Sequence, residues 1–314
     1  MKILIVAPQN RKQEVGFYLA DSFNELGHTA YLFFYRDVAQ LHNTDLMNSH
    51  LLGYEHQLEP DLALILKGEL IKPETIKKFN SKTALWYFDL EINDDITNLA
   101  KEADTFFLHC NDTETVEYYK KEGVNIKILH QACPEKYYHP VPPDENFKSD
   151  ICFIGSKKAK REEILIEVFE YCRKNNLILK IWGNGWQDSK LKEVWQGKDI
   201  YHEDFCKAVC SAKINLGLGY GEFFNRDISF RLFQILGCGG FLLHDCVKEI
   251  TKLYDGGLRF FYSEKYPTYT LTSEIDYFLR DDALRLNISD YGYKHTLKNH
   301  TYTKRIKQLL EVMK

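Results

Sequence analysis

Short, continuously apolar runs alternate with helix-length amphipathic segments along this chain, and that alternation limits the folds open to it. The runs are KILIVA from Lys2, HTAYLFF from His28, DLALILK from Asp61, TALWYFD from Thr83, DTFFLHC from Asp104 and IKILH from Ile126. Between them lie segments such as QEVGFYLADSFNELG and DTETVEYYKKEG, the second with Asp112 or Thr113 as N-cap and Gly123 at its close. A strand that is apolar at every position must be covered on both faces. Helices between such strands supply the cover, which predicts a parallel sheet.

A second alternating series follows PEKYYHPVPPDENFKSD, a proline-dense stretch without periodicity that reads as a linker. Its strands are DICFIGS, LILKIWG, AKINLGLG and GFLLHD. Its helices are KREEILIEVFEYCRKN, EDFCKAVCSA and ISFRLFQILG, and further helical stretches close the chain. The expected fold is α/β, with two doubly wound, Rossmann-like domains facing a cleft. The expected boundaries are 1–133 for the first domain, 134–148 for the linker, 149–285 for the second domain and 286–314 for a closing helical segment. In such sheets ligands bind beyond the carboxyl ends of the strands.

The chain has 314 residues, which suits two domains of ordinary size. A net charge of -4 and a pI near 6.3 argue against broad nucleic-acid binding while leaving room for a local basic groove. The start reads as a first strand and not as a signal peptide, and no run approaches the ~18 apolar residues of a membrane span. Eight cysteines occur without a CxxC pair or paired Cys/His ligand spacing, as expected for reduced thiols in a cytoplasmic protein without structural zinc.

Three turns of the second series follow strands and so belong at one sheet edge. In FIGSKKAKRE, Gly155 and Ser156 end a strand, and Lys157, Lys158 and Arg161 surround the next helix start. Backbone N–H groups and cations there suit a diphosphate, although a solvated basic helix start has the same pattern. In KIWGNGWQD, Gly183 and Gly185 bracket Asn184 and permit close backbone approach; an ordinary strand-to-helix turn reads the same way. In GLGYGEFFNRDISFRLFQILGCGGFLL, Asp227 is a candidate N-cap. The following helix then carries Asp227, Phe230 or Arg231, and Gln234 along one stripe. A core helix with one solvent-facing arginine is the alternative.

DICFIGS, KIWGNGW, AKINLGLG, FRLFQILGCGGFLLHD and the terminal HTYTKR resemble glycosyltransferases of the GT-B fold, particularly the CgeB-like group and its glycosyl-transferase group 1 relatives. The first half is similar more loosely, through PDLALILKGELIKPETI, TALWYFD and YYKKEGVNIKILHQACPEKYYHP. The resemblance implies transfer of a sugar from a nucleotide-diphosphate donor, first of all a UDP-sugar, to an unidentified hydroxyl acceptor. It implies no tightly bound cofactor. With these turns, the expected donor residues are Gly155, Ser156, Lys157, Lys158, Arg161, Gly183, Asn184, Gly185, Asn225, Arg226, Asp227, Ser229, Phe230, Arg231 and Gln234. The closing helix is expected to return toward the first domain.

One departure stands out. Relatives carry glutamate where this chain has Gln234, and there the carboxylate accepts both ribose hydroxyls. Glutamine accepts one through its carbonyl oxygen. An acceptor and a general base fall to the first half, where Asp89 and His109 each end a strand. Asp89 as a turn cap and His109 bonded to its own loop are the structural alternatives; Gln9 and Asn10 could line the acceptor side. Asp94–Asp95 and Asp281–Asp282 are adjacent pairs unsuited to a DxD metal site, so metal-independent transfer is expected. The acceptor is open: a glycan, a protein or a small molecule, with nucleic acid less favoured. A sugar-nucleotide epimerase or hydrolase, and a non-catalytic two-lobed binding protein, remain competing readings on the same fold.

Overall fold

The computed structural model describes residues 1–11, 13–219, 226–261 and 267–314, the side chains of 267–270 excepted. The chain divides into two compact units, the first made of Met1–Gln131 with Tyr302–Lys314 and the second of Ala132–Thr301.

In the first unit the strands are β1 (Lys2–Ala7), β2 (Thr29–Phe34), β3 (Leu62–Leu66), β4 (Lys82–Tyr87), β5 (Thr105–Leu108) and β6 (Ile126–Ile128). They form one sheet in the order β2-β1-β3-β4-β5-β6. Every pairing is parallel, with Ile3 opposite Leu62 and Ala84 opposite Thr105. Residues 3–7 and 62–66 are wholly buried, as strands covered on both faces must be. The helices are α1 (Val15–Glu25), α2 (Tyr35–Leu41), α3 (Thr44–Leu58), α4 (Pro73–Ile76), α5 (Asp94–Glu102) and α6 (Thr113–Lys121). Asp112 caps α6 by accepting from Thr115 N at 3.1 Å.

The second unit holds β7 (Ser149–Ile154), β8 (Leu179–Trp182), β9 (Ala212–Gly217), β10 (Leu242–Asp245) and β11 (Arg259–Phe261). These too are all parallel, in the order β11-β10-β9-β7-β8. Around them lie α7 (Ala159–Lys174), α8 (His202–Cys210), α9 (Phe230–Gly237), α10 (Lys248–Leu253), α11 (Pro267–Leu279) and α12 (Asp282–Asn299). Ile151, Phe153, Leu165, Trp186, Ile214 and Leu243 are among its core.

Residues 134–148 do not stand apart from this unit. Phe147 stacks on Trp182 with centroids 5.2 Å apart, and Asp144 N donates to Ser211 Oγ at 2.8 Å. The segment 282–299 also packs within it, where Tyr254 and Thr296 share a buried hydroxyl bond of 2.9 Å. Only α13 (Tyr302–Val312) is counted with the first unit. There the Tyr302 ring lies 6.3 Å from both Tyr18 and Trp86, and Arg305 Nε donates to His130 O at 2.8 Å. Among the described residues no helix is long and apolar enough to cross a membrane.

Candidate functional site

All five strands of the second unit point the same way, so the turns after β7, β8 and β9 share its carboxyl edge. Hydrogen bonds join the first two directly. Gly155 N donates to Trp182 O at 2.8 Å, Lys157 N donates to Asn184 O at 2.8 Å, and Trp186 Nε1 donates to Gly155 O at 2.9 Å. Gly183 has φ +130, and a Cβ there would meet the Gly155 carbonyl oxygen at 2.2 Å. Only glycine allows that approach.

Arg231, in the first turn of α9, also reaches the turn after β7. A Cβ on Gly155 would lie 3.3 Å from Arg231 Cζ, so the guanidinium sits over the glycine that follows β7. Gly155, Lys157, Gly183 and Arg231 therefore form one group. Ser156 and Lys158 are exposed beside it, as are Asn184 and Gly185. Lys158 is the N-cap of α7 and supplies no side-chain cap, so the first amides of that helix take none from it. Lys157 Nζ rests 3.1 Å from Glu162 Oε2, while Asn184 Nδ2 bonds Asp199. The Glu162 carboxyl lies below its ordinary value, chiefly through the Ser189 hydroxyl and further through Lys157. A diphosphate on this edge would compete with Glu162 for Lys157.

Arg161 has a different position from the other cations. It is 3% exposed, and its guanidinium donates to Leu218 O at 3.2 Å, Gly219 O at 2.9 Å and Ser156 O at 3.1 Å. Its donors are directed at carbonyls that tie the end of β9 to the first turn.

The helix start also differs from the sequence expectation. Ser229 caps α9, with φ -67 and ψ 138, and its Oγ accepts from Arg231 N. Asp227 is buried two residues earlier, outside the helix, so it cannot head a helical stripe ending at Gln234. Either residue type caps well; the chain takes the extended conformation a cap needs at Ser229. Arg231 and Gln234 remain neighbours at i and i+3. Arg226 and Phe230 are half-buried, and the Tyr138 ring lies 6.5 Å from Phe230. Asn225 lies outside the described residues.

Gln234 is 6% exposed, and among the described residues its side-chain amide has no hydrogen-bond partner. Buried amides are ordinarily satisfied by a partner.

In the first unit, Asp89 follows β4 and pairs with Lys67, Oδ2 to Nζ 2.7 Å. Lys67 itself has φ +66. Beside it, Glu69 accepts from the Tyr35 hydroxyl at 2.5 Å and from Arg36 at 2.7 Å. Burial alone would raise the Glu69 carboxyl, but these two bonds hold it below its ordinary value. Burial raises Glu14, against the nearby charges of Arg11, Arg36 and Lys67. This charged cluster was missed from the sequence; the KGE after β3 was its only signal. His109 is 1% exposed, with its backbone N on Tyr87 O and its O on His130 Nδ1. Asp89 is thus the more accessible of the two candidate bases. Asn10 N donates to Asp37 Oδ2 at 2.7 Å, and Gln9 is half-buried.

Another missed pair ends β10. Asp245 is fully buried; its Oδ1 accepts from Gly219 N at 3.1 Å and lies 2.9 Å from His244 Nδ1.

The comparisons agree with this architecture. Residues 161–311 match the model of the family described as glycosyl transferase-like. Among curated proteins, none matches the chain by sequence. Solved structures do match in fold. A sucrose-phosphate synthase from Thermosynechococcus elongatus superimposes with a TM-score of 0.71 at 9% identity, covering 100% of this chain and 99% of that one. A glycosyltransferase from Rickettsia africae gives 0.70 at 12% identity, covering 99% and 97%. Anabaena HepE, solved with UDP-glucose, gives 0.67 at 10% identity, covering 100% and 99%. The chain has the two-unit α/β architecture of these GT-B structures, and its residues 161–311 are similar to the glycosyl transferase-like family.

Proposed function

We propose that this protein transfers a sugar from a nucleoside diphosphate sugar, a UDP-sugar first among them, to a hydroxyl acceptor. The observation that carries this reading is the convergence of Gly155, Lys157, Gly183 and Arg231 at one sheet edge, with the buried Gln234 one turn along α9 from Arg231. In the proposed arrangement the diphosphate lies against Gly155 to Lys158 and the start of α9, where backbone N–H groups and cations favour it. The ribose lies at Gln234. The solved HepE complex with UDP-glucose supports the choice of donor.

A departing diphosphate gains charge, and Arg231, Lys157 and the helix starts oppose that charge without a metal. The acceptor is assigned to the first unit. Asp89, fixed by Lys67, is the proposed base, and His109 is the second candidate.

A thermal-shift screen of nucleoside diphosphates and their sugars tests the donor assignment. A ligand at 100 times its Kd stabilises the folded state by about 2.7 kcal/mol. UDP and at least one UDP-sugar should raise the Tm, and a panel without any shift would overturn the reading.

A further inference from the structure

Two thiols of the second unit are placed to react with each other. Cys206 lies in α8 and Cys238 is the C-cap of α9, and each is 1% exposed. Cys238 Sγ donates to Cys206 Sγ at 3.5 Å, and Cys206 Sγ donates to Tyr137 O at 3.4 Å. Cys206 also lines a cavity of about 620 Å³, together with Lys136, Tyr137, His139, His202 and Lys207. Cys238 is not among the residues lining it. One member of the pair thus has an approach for a small reagent, and the other waits behind it.

The two environments differ in a useful direction. The hydrogen bond from Cys238 is the main reason the Cys206 thiol lies below its ordinary value, against the effect of burial. Burial pushes Cys238 well above. Since the thiolate is the nucleophile, Cys206 is the attacking sulfur and Cys238 the resolving one.

We infer that Cys206 and Cys238 form a dithiol that a hydroperoxide oxidises to an intramolecular disulfide. The Cys206 thiolate attacks one peroxide oxygen, the O–O bond breaks, and the departing oxyanion takes a proton. Cys206 is left as the sulfenic acid. Cys238 sulfur then attacks Cys206 sulfur, the S–S bond forms, and the displaced hydroxide leaves as water with the Cys238 proton. Two electrons pass from the two thiols to the peroxide. Closing the bond requires the sulfurs to approach by about 1.5 Å. Cys238 occupies a turn rather than a helix interior, with Gly239 after it at φ +70. The disulfide would tie α8 to the end of the helix that carries Arg231 and Gln234, but its chemistry does not depend on the donor assignment.

The test treats the full-length protein with limiting hydrogen peroxide, blocks remaining thiols and maps peptides without reduction. The expected product is a Cys206–Cys238 cross-link that has lost two hydrogens and is reversed by dithiothreitol. In the Cys238→Ser variant, a dimedone adduct should accumulate on Cys206. In Cys206→Ser, Cys238 should stay reduced. Oxidation confined to the more exposed Cys210 and Cys246, or a bridge to Cys133, would overturn the inference, and the wild-type map decides this even if a variant fails to fold.

Discussion

Replacing Gln234 with glutamate separates a ligand-facing amide from a merely buried one. The side chain is 6% exposed and has no partner among the described residues, so a carboxylate there is desolvated without compensation in the free protein. That should cost about 1–3 kcal/mol of stability at neutral pH. Arg231 is one turn away, and an i,i+3 pair would return only about 0.2–0.5 kcal/mol. Bound ribose reverses the balance. Two hydroxyls donating to a carboxylate replace one neutral bond, a gain of about 1 kcal/mol, or roughly fivefold in Kd. The variant should therefore melt below wild type when free, yet show a larger UDP-induced shift. Thermal melts with UDP and 2′-deoxy-UDP measure both effects, and the deoxy compound should recover less of the gain. Equal melting of the free proteins together with equal shifts from both nucleotides would refute the placement of this side chain against a ribose.

Other outcomes follow from the same geometry. Gly183→Ala places a Cβ at φ +130 and 2.2 Å from the Gly155 carbonyl, so it should destabilise the protein by about 3 kcal/mol or more in urea melts. A loss below about 1 kcal/mol would mean the two turns separate freely. Glu69→Gln addresses the cluster of the first unit. Because the folded Glu69 lies below its ordinary 4.5, its bonds to Tyr35 and Arg36 stabilise fully above that pH and are lost as pH falls through the folded value. Wild type should thus exceed the variant in stability at neutral pH, and the gap should close as the pH falls below 4.5 and the folded carboxyl protonates; a pH-independent gap would count against the pairing.

How far the sequence carries depends on whether a feature is local. KILIVA and DLALILK read directly as β1 and β3, because a strand covered on both faces needs apolar residues throughout. β11 escaped notice, since three residues hold no periodicity. The cap of α9 fell on Ser229 and not Asp227 because both side chains can accept the same bond and only the backbone chooses. Arg161 resembled a phosphate-facing cation until the carbonyls of Leu218 and Gly219, more than fifty residues away, were brought to it. The same holds for Lys67 with Asp89 and for Cys206 with Cys238. These pairs are made by the crossovers of a parallel sheet, which bring residues distant in sequence together and leave no mark in local spacing.

A nucleoside diphosphate is expected to bind where Arg231 overlies Gly155. Calorimetric titration of UDP into wild type and Arg231→Ala tests it most directly. Removing a charge-assisted contact to phosphate should weaken binding by about 1.5–3 kcal/mol, a rise in Kd of roughly 10- to 150-fold, while the variant keeps its cooperative melt. Indistinguishable UDP isotherms for the two folded proteins would contradict the account.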